Sequence, residues 1–159
     1  MDSTDRPSAA ATPPVRPGTT AAIAATAARA ELQVLAGIDG LDVGIGLRQC
    51  GNRAPMYRHM LGRFAEIYAQ PLPAPAEPAG EPDLPARERA HSLRGASATV
   101  GAVQVQALAA ALEALCDDAS AATADRLHAH ELLQTAVATL TARLREALAA
   151  SSADAPKAG

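Results

Sequence analysis

The segment from residue 86 to residue 100 carries the pattern that most constrains the fold of this chain. Small or apolar side chains recur there at intervals of three or four residues, as on the buried face of an amphipathic α-helix. The members of this inward stripe are Ala86, Ala90, Leu93, Ser97 and Val100. Because an α-helix turns by about 100° per residue, Leu93 lies roughly 200° away from His91. A helix that buries Leu93 therefore presents His91 to solvent.

His91 shares this outward face with residues three, four or seven positions away from it. They are Arg87, Arg94, Gly95 and Ala98. Glycine in a helix interior lowers helix stability by about 1 kcal/mol relative to alanine, so the presence of glycine at position 95 requires an explanation. We interpret it as a clearing, extended by Ala98, through which a partner's backbone or a phosphoryl group reaches the imidazole. An exposed imidazole is mostly neutral near pH 7 and keeps a nitrogen lone pair that can attack phosphorus.

The spacing of these residues resembles the signature of histidine phosphotransfer (HPt) domains. In that family an apolar residue, a basic residue and two glycines follow the histidine at fixed offsets, and the next helix closes in Leu-Glu. The matching residues are His91, Leu93, Arg94, Gly95 and Gly101, followed by Leu112 and Glu113. Arg94 stands where lysine is commoner in the family, which keeps the charge on a wider, flatter donor.

The resemblance implies a phosphorelay intermediate in two-component signalling. Such a domain accepts a phosphoryl group on its histidine, here His91, from an aspartyl phosphate of a receiver domain and passes it to an aspartate of another receiver. Transfer uses the outer imidazole nitrogen, and the receiver supplies Mg²⁺, so we expect this chain to need no cofactor or metal of its own. Arg94 and Arg87 are the candidates to pair with the phosphoryl group. Gly95 and Ala98 are the candidates to admit the receiver.

The sequence contains no glycine-rich nucleotide lid and no P-loop, so we expect a phosphoryl carrier and not an autonomous enzyme. The expected partners are response-regulator receivers and a hybrid sensor histidine kinase, because HPt modules of this kind occur at the C-terminus of such kinases. The module itself is expected to be monomeric. Two alternatives stay open. One is the substrate domain of a chemotaxis-type kinase, phosphorylated directly by an ATP-binding domain, and the other is a non-catalytic adaptor that binds receivers.

The composition favours an all-α fold. Aromatic residues make up 2% of the chain and tryptophan is absent, so Leu, Val, Ile and Ala must form the core, which suits closely packed helices. We predict an antiparallel four-helix bundle with a short extra N-terminal helix and a disordered N-terminal tail. The net charge of −3 argues against a nucleic-acid surface. Neither a membrane-spanning run nor a secretory signal is evident, so we expect no membrane insertion and a cytoplasmic location.

The bundle is expected to occupy residues 38–150. Residues 1–37 are predicted to be a disordered or linker tail, in which residues 19–36 form either a solvated helix or a frayed linker. Residues 71–82 contain repeated prolines, which exclude a regular helix, so we expect a loop between two helices. Residues 151–159 are predicted to be a polar C-terminal tail.

Two helices are predicted before the proline-rich loop. Asp42 is expected to cap a short helix that stops at Gly51, and Asn52 to cap the next one. The second helix has a wide apolar face at helical spacing. Its members are Met56, Tyr57, Met60, Leu61, Phe64, Ile67 and Tyr68.

The helix that carries His91 is predicted to begin near Asp83 or Pro85, directly after the loop. Gly101 ends it, and the following helix begins near Val103. A small-residue turn then leads into a last helix with an inward stripe of leucine and valine.

The two cysteines and the other three histidines have simpler interpretations. Cys50 and Cys116 match no metal-ligand spacing and are read as reduced, partly buried hydrophobes, with a disulfide or redox switch as the alternative. His59 and His128 are expected at the surface. His130 falls on an apolar stripe and is expected at the edge of the core, and its spacing from His128 argues against a metal pair.

Overall fold

The computed structural model describes residues 17–75 and 84–153, and all regular secondary structure in these ranges is helical. The helices are α1 (Pro17–Ala36), α2 (Val43–Gln49), α3 (Ala54–Ile67), α4 (Leu84–Val100), α5 (Val103–Asp117) and α6 (Thr123–Ala153). Helices α3 to α6 form the predicted bundle, in which α4 and α6 each pack on both α3 and α5. The short connections after α4 and α5 make these consecutive helices antiparallel. The predicted all-α fold is confirmed, and α2 is its short extra helix.

The inward stripe of α4 is the one that the sequence predicts. All five of its members are buried against the bundle, and they are Ala86, Ala90, Leu93, Ser97 and Val100. The helix begins at Leu84, as expected from the prolines before it, and ends before Gly101. Burial of Leu93 fixes the rotation of α4 about its axis, which leaves the opposite face, with His91, open to solvent.

The apolar face of α3 is narrower than predicted. Tyr57, Leu61 and Phe64 are buried, but Met56 is 40% exposed and Ile67 is 60% exposed. The wide apolar face predicted from the spacing is therefore only partly buried, and Met56 and Ile67 are its exposed members. Both lie at the edges of the stripe that α3 presents to α4 and α6, where neither neighbour covers them.

Helix α2 packs across the C-terminal end of α4, and two glycines make the close approach possible. A Cβ atom on Gly46 would lie 2.2 Å from the ring of Tyr57, and a Cβ on Gly101 would lie 2.2 Å from the carbonyl oxygen of Asp42. Gly101 also has a φ of +77°, a left-handed conformation that favours glycine. The Asp42 side chain caps α2 as predicted, accepting a hydrogen bond from the amide of Ile45 at 2.9 Å.

The prediction that Asn52 caps α3 is wrong. The N-cap residue is Arg53, and it makes no side-chain capping hydrogen bond. Gly51 and Asn52 both have positive φ angles, +62° and +58°, and this left-handed pair turns the chain from α2 to α3. Asn52 therefore belongs to the turn, one residue before the cap, a backbone conformation that asparagine tolerates better than most residues.

Helix α1 occupies residues for which the sequence leaves a solvated helix or a frayed linker open. Most of its described side chains are exposed, but Leu35 is 1% exposed and packs against the core. Glu31 forms an ion pair with Arg58 of α3, and α1 packs on α6. The C-terminal part of α1 is thus attached to the bundle. Residues 1–16 of the predicted disordered tail lie outside the described residues.

The beginning of the proline-rich loop is held by α6. The amide of Leu72 donates to Oε1 of Gln134 at 2.6 Å, and Nε2 of His130 lies 3.2 Å from the carbonyl oxygen of Leu72. Residues 71–75 are irregular, as predicted, and residues 76–82 lie outside the described part of the chain. Helix α6 continues to Ala153, three residues beyond the predicted end of the bundle.

Cys50 and Cys116 are both buried and do not form a disulfide. Their burial agrees with the prediction that both are small hydrophobes, although it is more complete than the partial burial expected. Within residues 17–75 and 84–153, no helix is long and apolar enough to cross a membrane.

Candidate functional site

His91 lies near the middle of α4, with its imidazole on the solvent side. The side chain of His91 is 62% exposed. One turn further along the helix, a Cβ atom built on Gly95 meets no other atom within 4 Å. The structure therefore places Gly95 where the sequence predicts a clearing beside the ring, and packing does not explain the absence of a side chain there.

Glu113 of α5 fixes the orientation of the imidazole. Its Oε1 lies 2.8 Å from Nδ1 of His91, and its side chain is only 9% exposed. The hairpin of α4 and α5 about Gly101 brings the two residues together. An ionised carboxylate can only accept hydrogen bonds, so the contact assigns the hydrogen of the neutral ring to Nδ1. The lone pair is then on Nε2, the outer nitrogen.

Arg94 is the second group at this carboxylate. Its Nη1 lies 3.0 Å from Oε2 of Glu113, and its side chain is 44% exposed. Oε2 of Glu113 is buried and has no hydrogen-bond partner among the described residues, so the contact with Arg94 is an ion pair without a hydrogen bond. Arg94 thus neutralises a buried charge but is not locked in place by the contact.

Arg87 forms a parallel pair one helical turn before His91. Its Nε donates a hydrogen bond to Oδ1 of Asp117 on α5, and the two side chains form an ion pair. The hydrogen bond that Arg87 donates to Asp117, and then the negative charge of Asp117, raise the pKa of the Arg87 guanidinium, so the pair stays ionised. Asp117 lies four residues beyond Glu113, just as Arg87 lies four residues before His91. The antiparallel register of α4 and α5 therefore places Glu113 beside His91 and Asp117 beside Arg87.

The sequence predicts the positions of Arg94 and Arg87 on the exposed face but not their partners. Each forms an ion pair with a carboxylate of α5, so neither guanidinium group is unpaired in the unmodified protein. Ala98 lies on the same side of α4 and is half-buried. The contact of Glu113 with His91 is the main feature of the site that the spacing of residues within one helix does not predict. A signal was present: Glu113 follows Ala109 by four residues and precedes Cys116 by three, which places an acid on the inward stripe of α5.

The other histidines lie apart from this site. His59 and His128 are exposed and His130 is half-buried, as the sequence predicts. Among the residues that the structure describes, no three His, Cys, Asp or Glu side chains are grouped so that they could hold a metal ion.

Comparison with known proteins gives one match. The family model described as "Hpt domain" matches residues 64–154, a span that contains α4, α5 and α6. Neither the curated proteins nor the solved structures contain a match. The family match covers more than half of the 159 residues and includes His91 and both acids of α5. The chain belongs to the Hpt domain family and is a histidine phosphotransfer module of two-component signalling.

Proposed function

We propose that this protein is a phosphorelay intermediate that carries the phosphoryl group on Nε2 of His91. It accepts the group from an aspartyl phosphate of one receiver domain and passes it to an aspartate of another. One observation carries the proposal: the buried carboxylate of Glu113 lies 2.8 Å from Nδ1 of His91, while the ring is exposed beside Gly95. That contact favours the tautomer whose outer nitrogen is nucleophilic.

Acceptance is a substitution at phosphorus. The Nε2 lone pair forms the new bond to phosphorus, and the bond between phosphorus and the aspartyl oxygen breaks, which releases the carboxylate of the receiver. The product is a phosphorylated imidazolium that keeps its hydrogen on Nδ1. Glu113 stabilises this positive charge from the buried side of the ring, much as an acid stabilises an imidazolium in other catalytic pairs. Donation to the second receiver is the reverse step with a different aspartate.

Arg94 and Arg87 interact with the phosphoryl group in this proposal, although both are held by carboxylates in the unmodified protein. A phosphoryl group brings close to two negative charges to the exposed face. Arg94 is the easier of the two to recruit, because its ion pair with Glu113 includes no hydrogen bond, whereas Arg87 donates one to Asp117. The receiver supplies Mg²⁺ and the aspartates, and the module itself acts as a monomer without a cofactor.

Transfer between purified domains tests the proposal. A receiver carrying radiolabelled aspartyl phosphate is mixed with the wild-type protein or with His91→Gln, and the labelled carrier is then mixed with a second receiver. We expect label to enter and leave the wild-type protein and not to enter the variant. Receiver binding without any transfer would instead support an adaptor. Labelling by ATP and a kinase domain that has no receiver, with no labelling by any receiver, would support a chemotaxis-type substrate domain.

A further inference from the structure

Asp117 lies at the C-terminal end of α5, where an acidic side chain is unfavourable for the helix. It is the last residue of α5, and the C-cap residue that follows it, Asp118, is acidic as well. The carbonyl groups at this end of a helix carry a partial negative charge, which favours basic side chains and disfavours acidic ones. The last turn of α5 contains no basic residue. The stability of α5 therefore does not explain why residue 117 is an aspartate.

The ion pair between Asp117 and Arg87 adds little to the stability of the bundle. Nε of Arg87 donates a hydrogen bond to Oδ1 of Asp117, but the two side chains are 37% and 51% exposed. Water and salt screen the attraction between charges as exposed as these, and ordering two flexible side chains opposes it. Neither the helix nor the packing of the bundle thus requires an acid at position 117.

The bond to Asp117 determines where the guanidinium group of Arg87 lies. It holds that group beside the end of α5, one helical turn before the level at which Glu113 contacts His91. Of the five N–H donors of a guanidinium, only Nε–H has a partner among the described residues. Arg87 and His91 are four residues apart on one face of α4, about 6 Å along the axis. A released Arg87 could therefore turn its four free donors toward a phosphoryl group on the imidazole.

We propose that Asp117 restrains Arg87 and thereby limits how strongly the protein holds the phosphoryl group on His91. This inference rests on the proposed function, because it concerns the phosphorylated state. A phosphoryl group brings close to two negative charges within reach of Arg87, and Asp117 competes with it for the same guanidinium. An arginine that pairs with the phosphoryl group through charge-assisted hydrogen bonds stabilises phosphohistidine. Asp117 is thus a positioning residue that keeps phosphohistidine less stable than the nearby arginines alone would make it.

A carrier benefits from this restraint because it must release the phosphoryl group to a second receiver. Interactions that stabilise the phosphorylated histidine more than the transition state of transfer slow that release. Arg94 and Arg87 are both paired with carboxylates of α5. One of these acids, Glu113, also contacts the imidazole, so its removal changes two interactions at once. Asp117 is bonded to Arg87, so its removal tests the restraint separately.

The lifetime of the phosphorylated protein in the absence of a receiver tests the proposal. Radiolabelled phosphoramidate phosphorylates His91 directly, since Nε2 forms a bond to phosphorus and ammonia leaves, and the excess donor is then removed. We expect Asp117→Ala, which removes both the charge and the acceptor, to lengthen the lifetime of the label at neutral pH at least about threefold at about 0.05 M ionic strength. The effect should be smaller at about 0.5 M, where salt screens the attraction of Arg87 to the phosphoryl group. An unchanged or shorter lifetime overturns the proposal.

Two comparisons separate the restraint from the effect of charge alone. In an Arg87→Gln background, Asp117→Ala should change the lifetime less than about 1.5-fold, because no guanidinium is left to release. Asp39→Ala, which removes an exposed acid between α1 and α2, should have no effect. The same lengthening in the Arg87→Gln background, or in Asp39→Ala, overturns the proposal.

The same samples distinguish failure of this inference from failure of the phosphorelay role. The midpoint of thermal unfolding of Asp117→Ala should lie within about 3 °C of the wild-type value, because the ion pair is exposed. Absence of label on His91, both from phosphoramidate and from every phosphorylated receiver, would refute the phosphorelay role and this inference together. A label on His91 whose lifetime does not respond to Asp117→Ala refutes this inference alone.

Discussion

Glu113 and His91 form a pair in which the carboxylate is buried and the imidazole is exposed, with 2.8 Å between Oε1 and Nδ1. In the proposed transfer, the pair orients the outer nitrogen and supplies a negative charge behind the phosphorylated ring. Partners that orient metal-binding histidines are worth about tenfold or more, and by analogy Glu113→Gln, which removes the charge behind the ring, should slow phosphoryl acceptance about tenfold. Rapid-quench kinetics with a phosphorylated receiver measure the rate.

Glu131→Gln is the matched control for that experiment. Glu131 lies on α6 with its side chain exposed, so the same change of charge there should leave the rate within experimental error. Unchanged acceptance in Glu113→Gln would show that the charge behind the ring does not limit the reaction, because the amide oxygen of glutamine can still accept a hydrogen bond from Nδ1.

Arg94→Ala should shorten the lifetime of the phosphorylated histidine in the absence of any receiver. Arg94 lies beside the carboxylate behind the ring and is free enough to move toward a phosphoryl group in front of it. We expect a change of about threefold to tenfold, larger at low salt because exposed charges are screened over about 10 Å at 0.1 M ionic strength. The lifetime is measured by the loss of label at neutral pH. Arg143→Ala is the control, and equal lifetimes in both variants would show that Arg94 does not interact with the phosphoryl group.

Two substitutions at Gly95 distinguish an effect on stability from an effect on access to the imidazole. Gly95→Ala and Gly95→Leu should both stabilise the fold, by up to about 1 kcal/mol, because a Cβ at this position meets no other atom. Only the leucine variant should block transfer, since its side chain covers the approach to the ring. Thermal unfolding and transfer rates measure the two effects. Transfer by Gly95→Leu at the wild-type rate would contradict the access argument.

Most of the fold is predictable because it follows from periodicity along single helices. The inward stripe of α4 and the end of that helix at Gly101 need only the spacing of small and apolar residues and the conformational freedom of glycine. The prediction fails where a neighbouring element decides the outcome. Met56 and Ile67 have suitable spacing, but no neighbouring helix covers them.

The candidate site is likewise predictable only where a feature depends on a single helix. The exposure of His91 follows from the burial of Leu93 on the same helix. The contacts with Glu113 and Asp117 depend on the register between α4 and α5, which spacing within either helix does not determine. An acid on the inward stripe of α5 does predict that some partner must be present, because a buried carboxylate is costly without one.

Tyr57 gives a prediction for alkaline conditions. Burial raises the pKa of the Tyr57 phenol above its usual value near 10. The unfolded chain then ionises first as pH rises, so the stability that Tyr57 contributes is complete below pH 10 and is lost above it. The free energy of unfolding should fall by up to about 1.4 kcal/mol per pH unit from this group. Burial raises the pKa of Tyr68 as well, so the variant and the wild type must be compared directly.

Tyr57→Phe should reduce this alkaline loss. At neutral pH the variant should be about 1 kcal/mol less stable, because the hydroxyl donates to the carbonyl oxygen of Val100 at 3.0 Å in the core. Urea unfolding at pH values from 7 to above 10 measures both effects. Parallel pH profiles for the variant and the wild type would contradict the assignment.

The central claim is that the phosphoryl group resides on Nε2 of His91, and locating the group tests it most directly. The protein is phosphorylated by a receiver and kept at neutral pH; tandem mass spectrometry then identifies the residue, and nuclear magnetic resonance identifies the ring nitrogen. We predict a single phosphohistidine, at Nε2 of His91, and none in His91→Gln, whose stability should differ from that of the wild type by less than about 0.5 kcal/mol. A phosphoryl group on His59, His128 or His130, or one that persists in His91→Gln, would contradict the account.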